Sequence, residues 1–106
     1  MIFQLNKSIN QPIVLPKKYG VHLFLKREDN IHPFISGNKY RKLKYNLQYA
    51  KDSGATSILS FGGAYSNHIH ALAAAGRLMR IPTIGFIRAE DADLRNPTLR
   101  FALACG

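Results

Sequence analysis

Two stretches of the chain carry residue types that could do chemistry on a carbonyl or an anion. In SGNKYRKLKYN, Ser36 to Asn46, Lys39 follows a glycine and an asparagine at the point where a helical pattern begins. A neutral lysine amine attacks carbonyls and forms a Schiff base. A helix start, with Arg41, Lys42 and Lys44 alongside, is a place where a further cation is electrostatically disfavoured. The competing reading is a solvated helix face, the commoner fate of such a run of charges. In SFGGAYSNH, Ser60 to His68, a strand ends at Phe61, two glycines turn the chain, and Ser66-Asn67 open a helix. Helix N-termini present unpaired N–H groups with partial positive charge and so attract anions. Ser or Asn at this place is equally an ordinary cap, and spacing alone favours the cap. Neither G-x-G-x-x-G nor a Walker loop is present.

The elements that must position these residues follow from pattern and punctuation. Val21 to Lys26 reads as a strand, in an extended region broken by Pro12, Pro16 and Gly20. NIHPFISGN reads as a loop. Tyr40, Leu43, Leu47 and Ala50 then recur at helical spacing, and Gly54 sits where a helix-ending glycine belongs. Thr56 to Gly63 and Ile81 to Ile87 are short apolar runs expected to be buried parallel strands. Between them, SNHIHALAAAGRLMR predicts a helix with Ile69, Leu72, Ala73, Gly76 and Met79 on one face. A third helix is expected after Asn96 as cap and Pro97 at the first position. Strand, helix, strand, helix implies an α/β fold with a right-handed βαβ unit and a parallel sheet.

Composition narrows the function. Lys plus Arg number 15 against 6 Asp plus Glu, a formal charge of +9, which invites a nucleic-acid reading. The charges are scattered, however, and dense only from Lys39 to Lys44; zinc spacing, a basic tail and an RNA-binding aromatic signature are all missing. The expectation is therefore no nucleic-acid partner and no metal. The single cysteine, Cys105, suits a reducing cytoplasm. The N-terminal residues lack a secretion-signal pattern, and no apolar run is long enough to span a bilayer, so no membrane partner is expected.

Taken together, LKREDNIHPFISGNKYRKL and SFGGAYSNHIHALAAAG closely resemble the 1-aminocyclopropane-1-carboxylate deaminase / D-cysteine desulfhydrase family. These are pyridoxal-phosphate enzymes of the tryptophan synthase β-chain-like fold, or fold type II. The resemblance runs through essentially the whole chain, and the combined motifs are far more specific than either alone. It implies a three-layer parallel-sheet fold, incomplete here. Residues 1–53 would begin the large cofactor-binding domain and residues 54–106 the smaller α/β domain. Matched residue by residue, Lys39 is the Schiff-base lysine, catalytic and cofactor-binding. Asn67 meets the cofactor's phenolic oxygen. Ser66, with a catalytic role, Asn67 and His68 form the loop that binds the substrate carboxylate. Lys42 is a second lysine near the cofactor, and Asn38 precedes the Schiff-base lysine. Lys26, Arg27, Glu28 and Asp29 match a framework motif without chemistry. His22, His32 and His70 fall outside the motifs and read as structural or surface residues.

The implied activity is D-cysteine desulfhydration, giving pyruvate, hydrogen sulfide and ammonia, or ring opening of 1-aminocyclopropane-1-carboxylate, giving 2-oxobutyrate and ammonia. The histidine after Ser-Asn leans towards the desulfhydrase-like members. The expected partners are a small amino-acid substrate and, at full length, a second copy in a homodimer. Family enzymes are roughly three times this length, so the chain is expected to be the N-terminal portion of such an enzyme and inactive alone. The alternatives are an inactive truncated remnant and a small basic binding module.

Overall fold

Tyr40, Leu43, Leu47 and Ala50 are the four buried residues of helix α1 (Lys39–Asp52) in the computed structural model, which describes residues 3–106. The face read from the 3.6-residue period is thus the face that packs. The helix ends as its glycine predicts. Gly54 sits at φ +68°, and the chain turns back so that Gly54 N–H donates to Lys51 O at 3.2 Å and Ala55 N–H to Ala50 O at 2.9 Å. This paired closure satisfies carbonyls that the last turn would otherwise leave open.

The remaining elements, in chain order, are β1 (Asn10–Ile13), β2 (Leu23–Lys26), β3 (Ile58–Gly62), α2 (Asn67–Met79), β4 (Thr83–Ile87) and α3 (Pro97–Cys105), with β1 and β2 preceding α1. Strands β1 and β2 form an antiparallel pair, from Asn10 opposite Lys26 to Ile13 opposite Leu23. Strands β3 and β4 are parallel, from Ile58 opposite Thr83 to Gly62 opposite Ile87, with α2 as the crossover. The α/β class and the βαβ unit expected from the element order are present.

One cluster joins the first half of the chain to the second. Ile31, Ile35, Tyr40, Leu43 and Leu47 pack with Ala71, Leu72, Ala74 and Ala75 of α2. The alanines let α1 approach closely. Helix α2 is consequently buried over a wider arc than the single face expected from sequence, from Ala71 continuously to Gly76.

The expectation of fully buried strands is corrected. Among the described residues, only one face of the β3–β4 pair is covered, by α2. On the other, Leu59, Phe61, Ile84 and Phe86 are 47–63% exposed, and the Phe61 and Phe86 rings stack at 5.3 Å. Continuous apolar runs signal a strand designed to be covered on both faces, but covering the second face requires a further layer. The described residues measure only 19 Å in their thinnest dimension. Their radius of gyration, 16.7 Å, exceeds the about 13 Å typical of a domain this long.

Helix α2 reaches β4 through Gly76. A Cβ built there would lie 2.8 Å from Ile81 O and collide with the Thr83 side chain. Backbone cannot yield as a flexible side chain can, so Gly76→Ala is expected to destabilise the protein by about 1–3 kcal/mol, despite alanine's better helix propensity. A urea midpoint equal to or above that of the wild type would contradict this reading of the contact.

Candidate active site

The lysine loop, Ile31 to Asn38, has no regular secondary structure, so its polar backbone groups need partners from outside. Glu28 closes its base: Glu28 O accepts from Ile31 N–H at 3.4 Å and from Gly37 N–H at 3.1 Å. The Glu28 carboxylate accepts from Arg41 Nε at 2.8 Å and Nη2 at 3.2 Å, and from the Ser8 hydroxyl. Those bonds, with Arg41 foremost and Ser8 next, hold its pKa down to about 2. The rest of the KRED motif is also occupied in framework bonds. Lys26 Nζ donates to Ser8 O at 2.9 Å, and Arg27 donates to Gln11, Asp29 and Asn30.

Two histidines grip the middle of the loop. His32 is buried, and its Nδ1 accepts from the N–H groups of Phe34 and Ile35 at 3.1 and 3.0 Å. His70, on α2, bonds Phe34 O through Nδ1 at 3.2 Å. The loop then delivers Asn38 as the helix cap. Its side chain makes no capping bond and instead accepts from Lys39 Nζ at 2.5 Å.

The second loop turns tightly into α2. Gly62 is required there, since a Cβ would come within 2.7 Å of Ser66 Oγ and 2.5 Å of Ile69. Ser66 Oγ caps the helix by accepting from Ile69 N–H at 3.2 Å, which leaves its own O–H to donate. Asn96 does two things at once. Its Oδ1 caps α3 by accepting from Leu99 N–H at 2.9 Å, and its Nδ2 donates to Ala64 O at 3.1 Å. The cap was legible in the sequence; the tie to the glycine loop was not.

The lysine loop, the starts of α1 and α3 and the first turn of α2 share an open cleft of about 410 Å³, whose lining includes Ser36, Asn38, Lys39, Asn67, His70 and Thr98. Lys39, Asn38 and Asn67 are therefore brought together. Ser66, His68 and Lys42 are not in that lining. His68 Nε2 is paired with Ser60 Oγ at 2.8 Å. Burial first, then the charges of Lys39 and Lys42, push its pKa below the usual value, which keeps it neutral at pH 7. Lys42 is exposed on the next turn of α1. His32 and His70, read from sequence as structural or surface residues, do bond the backbone; Ser60 was missed, because a bond across two elements has no spacing signature. A second cavity of about 220 Å³, between α2, β4 and α3, is lined mainly by apolar side chains such as Ile69, Leu72 and Leu99. It offers little to orient a polar substrate.

Glu28 gives the lysine loop an acid limit. Its carboxylate is depressed in the folded state, so its contribution to stability is complete above the ordinary carboxylate value of 4.5 and is lost as pH falls towards about 2. Chemical denaturation at stepped pH should show stability falling across that window, with a shallower fall in Glu28→Gln. Equal slopes in the two proteins would assign the acid sensitivity elsewhere.

No protein-family model matches the chain. A Thermotoga maritima protein provisionally named a 1-aminocyclopropane-1-carboxylate deaminase is 40% identical over 85 residues, covering 80% of this chain and 27% of that protein. The mitochondrial bifunctional D-cysteine desulfhydrase/1-aminocyclopropane-1-carboxylate deaminase of Arabidopsis thaliana is 37% identical over 62 residues, 58% of this chain and 16% of its own length. Nocardicin C-9' epimerase of Nocardia uniformis subsp. tsuyamanensis is 38% identical over 85 residues, 79% of this chain and 26% of that protein. The chain thus spans about a quarter or less of the length of these relatives.

Proposed function

We propose, given that this chain belongs to the 1-aminocyclopropane-1-carboxylate deaminase / D-cysteine desulfhydrase family, that it forms the lysine-bearing portion of a pyridoxal-phosphate enzyme acting on small amino acids. The substrates proposed are D-cysteine and 1-aminocyclopropane-1-carboxylate. The observation that carries the reading is the cleft shared by Lys39 and Asn67, residues 28 positions apart in sequence that reach it from the starts of two different helices. In the same reading the chain contributes to a fold of type II, with residues 1–53 in a large domain and 54–106 opening a smaller one, in a homodimer.

The donor set fits the cofactor. Lys39 offers a primary amine to hold an aldehyde carbon, and Asn67 offers an amide that can donate to a ring oxygen. When bound, pyridoxal phosphate supplies an electron sink that makes the substrate Cα acidic. Lys39 would hold the cofactor, and its amine would be the base placed to take a proton at the substrate Cα. Asn38 Oδ1, which accepts from Lys39 Nζ, steadies that amine. The N-terminal end of α2 favours a carboxylate beside Ser66 and Asn67, and the Ser66 hydroxyl, used only as an acceptor by Ile69 N–H, has a proton to donate to it. His68, neutral and tied to Ser60, stands behind this loop. The name of the epimerase relative adds a proton exchange at carbon to the reaction classes worth assaying.

The test is covalent labelling. The chain is incubated with pyridoxal phosphate, reduced with borohydride and mapped by peptide. Label is expected on Lys39, falling by roughly tenfold or more in Lys39→Ala, because the attachment is to that one amine. Label on Lys42 or Lys44 with Lys39 unmodified would overturn the assignment. Pyruvate release from D-cysteine and 2-oxobutyrate release from 1-aminocyclopropane-1-carboxylate, each measured with the longest available form of the protein, distinguish the two substrates.

A further inference from the structure

We infer that His32 and His70 are positioning residues for Lys39: between them they clamp the Phe34 backbone and fix the loop that brings the lysine to the cleft. The inference deepens the proposed function and rests on Lys39 being the cofactor lysine.

The Phe34 backbone is held from both sides. Its N–H, and that of Ile35, donate to His32 Nδ1. Its carbonyl accepts from His70 Nδ1; a carbonyl cannot donate, so His70 carries a proton there. The two rings therefore do opposite jobs. An imidazole nitrogen accepts only when it has no proton, which fixes His32 as the neutral form with its proton on Nε2. Burial, which pushes the His32 pKa below the usual value, favours the same form.

The His32 ring is 2% exposed, and its Nε2 has no hydrogen-bond partner among the described residues. The surroundings are aromatic: the Phe3 ring centroid lies 5.1 Å away and that of Phe34 6.1 Å away. An apolar side chain would remove that orphan N–H but would strip the acceptor from two backbone donors, one of them on Ile35, which is 1% exposed. Unpaired buried donors are destabilising, so histidine leaves one where a hydrocarbon would leave two.

On the other side, the His70 ring stacks on Phe101 of α3 at 3.9 Å and 15°, and Phe101 also packs against Phe34 at 4.9 Å. The clamp thus ties the loop to α2 and α3 together. Lys39 lies five residues beyond Phe34, and Asn67 lies one turn before His70 on α2. Holding Phe34 from α2 sets the distance between the lysine and the loop it must work with. A misplacement of about 1 Å in such a group can cost on the order of a hundredfold in rate. His32 is the better probe, because His70 itself lines the cleft and His32 does not.

Three substitutions at His32 separate geometry from mere polarity. His32→Asn retains an acceptor near the place of Nδ1, the arrangement by which Asn bonds N–H groups two and three residues on. His32→Gln carries the same amide one methylene farther, and His32→Leu carries none. With the full 106-residue chain, two quantities are read: amide exchange at Gly37 and Lys39 by NMR, and borohydride-trapped label on Lys39 at fixed pyridoxal phosphate. His32→Asn is expected to stay within about threefold of wild type in both, whereas Gln and Leu lose about tenfold or more, the scale of an orphaned backbone donor. Amides of α2 and of the β3–β4 pair should keep their protection throughout. Imidazole nitrogen shifts in the wild type should report His32 protonated at Nε2 alone.

Unchanged exchange and labelling in His32→Leu, or losses in a folded His32→Asn as large as in His32→Gln, would overturn the clamp. Should His32→Leu fail to fold, the Asn and Gln pair decides. If wild type takes no label on Lys39, the cofactor reading falls, while the exchange rates of Gly37 and Lys39 still decide whether the histidines fix the loop.

Discussion

An irregular loop placed against a core must find a partner for each backbone polar group it buries, and this constraint organises the lysine end of the molecule. Between Ile31 and Asn38 the chain makes no helix or strand ladder. The N–H groups of Ile31 and Gly37 meet Glu28 O, those of Phe34 and Ile35 meet the His32 ring, the Phe34 carbonyl meets His70, and the Ile31 carbonyl accepts from Gln4 N–H. Glu28 ties the same loop back to α1 through Arg41 and to the N-terminal segment through Ser8. The bonds at Arg41 are exposed and would be worth little as an isolated surface pair. Their importance is in where they sit: the residue that receives Arg41 also closes the base of the loop. Removing one member loosens several others.

The βαβ unit provides the second loop by a different route. A parallel pair with its crossover helix puts the strand end and the helix start at one edge of the sheet, and Gly62, with no Cβ to meet Ser66 and Ile69, lets the turn between them be tight. Two caps then secure it. Ser66 closes α2, and Asn96 closes α3 while reaching back to Ala64 O. The cleft forms where the lysine loop meets the starts of α2 and α3, and the core cluster contains residues from both halves of the chain.

Much of this was legible in the sequence, for reasons that can be named. The packing face of α1 follows from a period of 3.6 interrupted by Gly54, and the buried residues are the four that the period picks out. Asn96 and Pro97 announce the start of α3 because each residue type favours that one position. The strands are shorter than their apolar runs, since Pro82 cannot donate to a ladder and β4 starts only at Thr83. Exposure of Leu59, Phe61, Ile84 and Phe86 was not legible: whether a strand's second face is covered depends on layers far away in sequence. His32 and His70 read as structural or surface residues, but their partners were not legible: His32 bonds the backbone two and three residues on, as many polar residues in loops can, and His70 bonds a carbonyl 36 residues away, a contact only the fold decides.

The difference between Lys39 and its neighbours is one of place, not of residue type. Lys39, Lys42 and Lys44 lie within two turns of one helix, and composition treats them alike. Lys39 is the first helical residue, so the loop determines where its side chain starts, and it is half-buried in the cleft lining with Asn38 Oδ1 as partner. Lys42 and Lys44 are exposed and outside the cleft lining; the charge of Lys42 is felt at His68, whose pKa it helps, after burial and Lys39, to push below the usual value. Lys39 and the N-terminal end of α2 thus meet at one cleft, while Glu28, the carboxylate at the base of the lysine loop, is already bonded to Arg41. The Glu28 carboxylate is thus engaged in fixing the loop and not in neutralising the lysine that the loop presents.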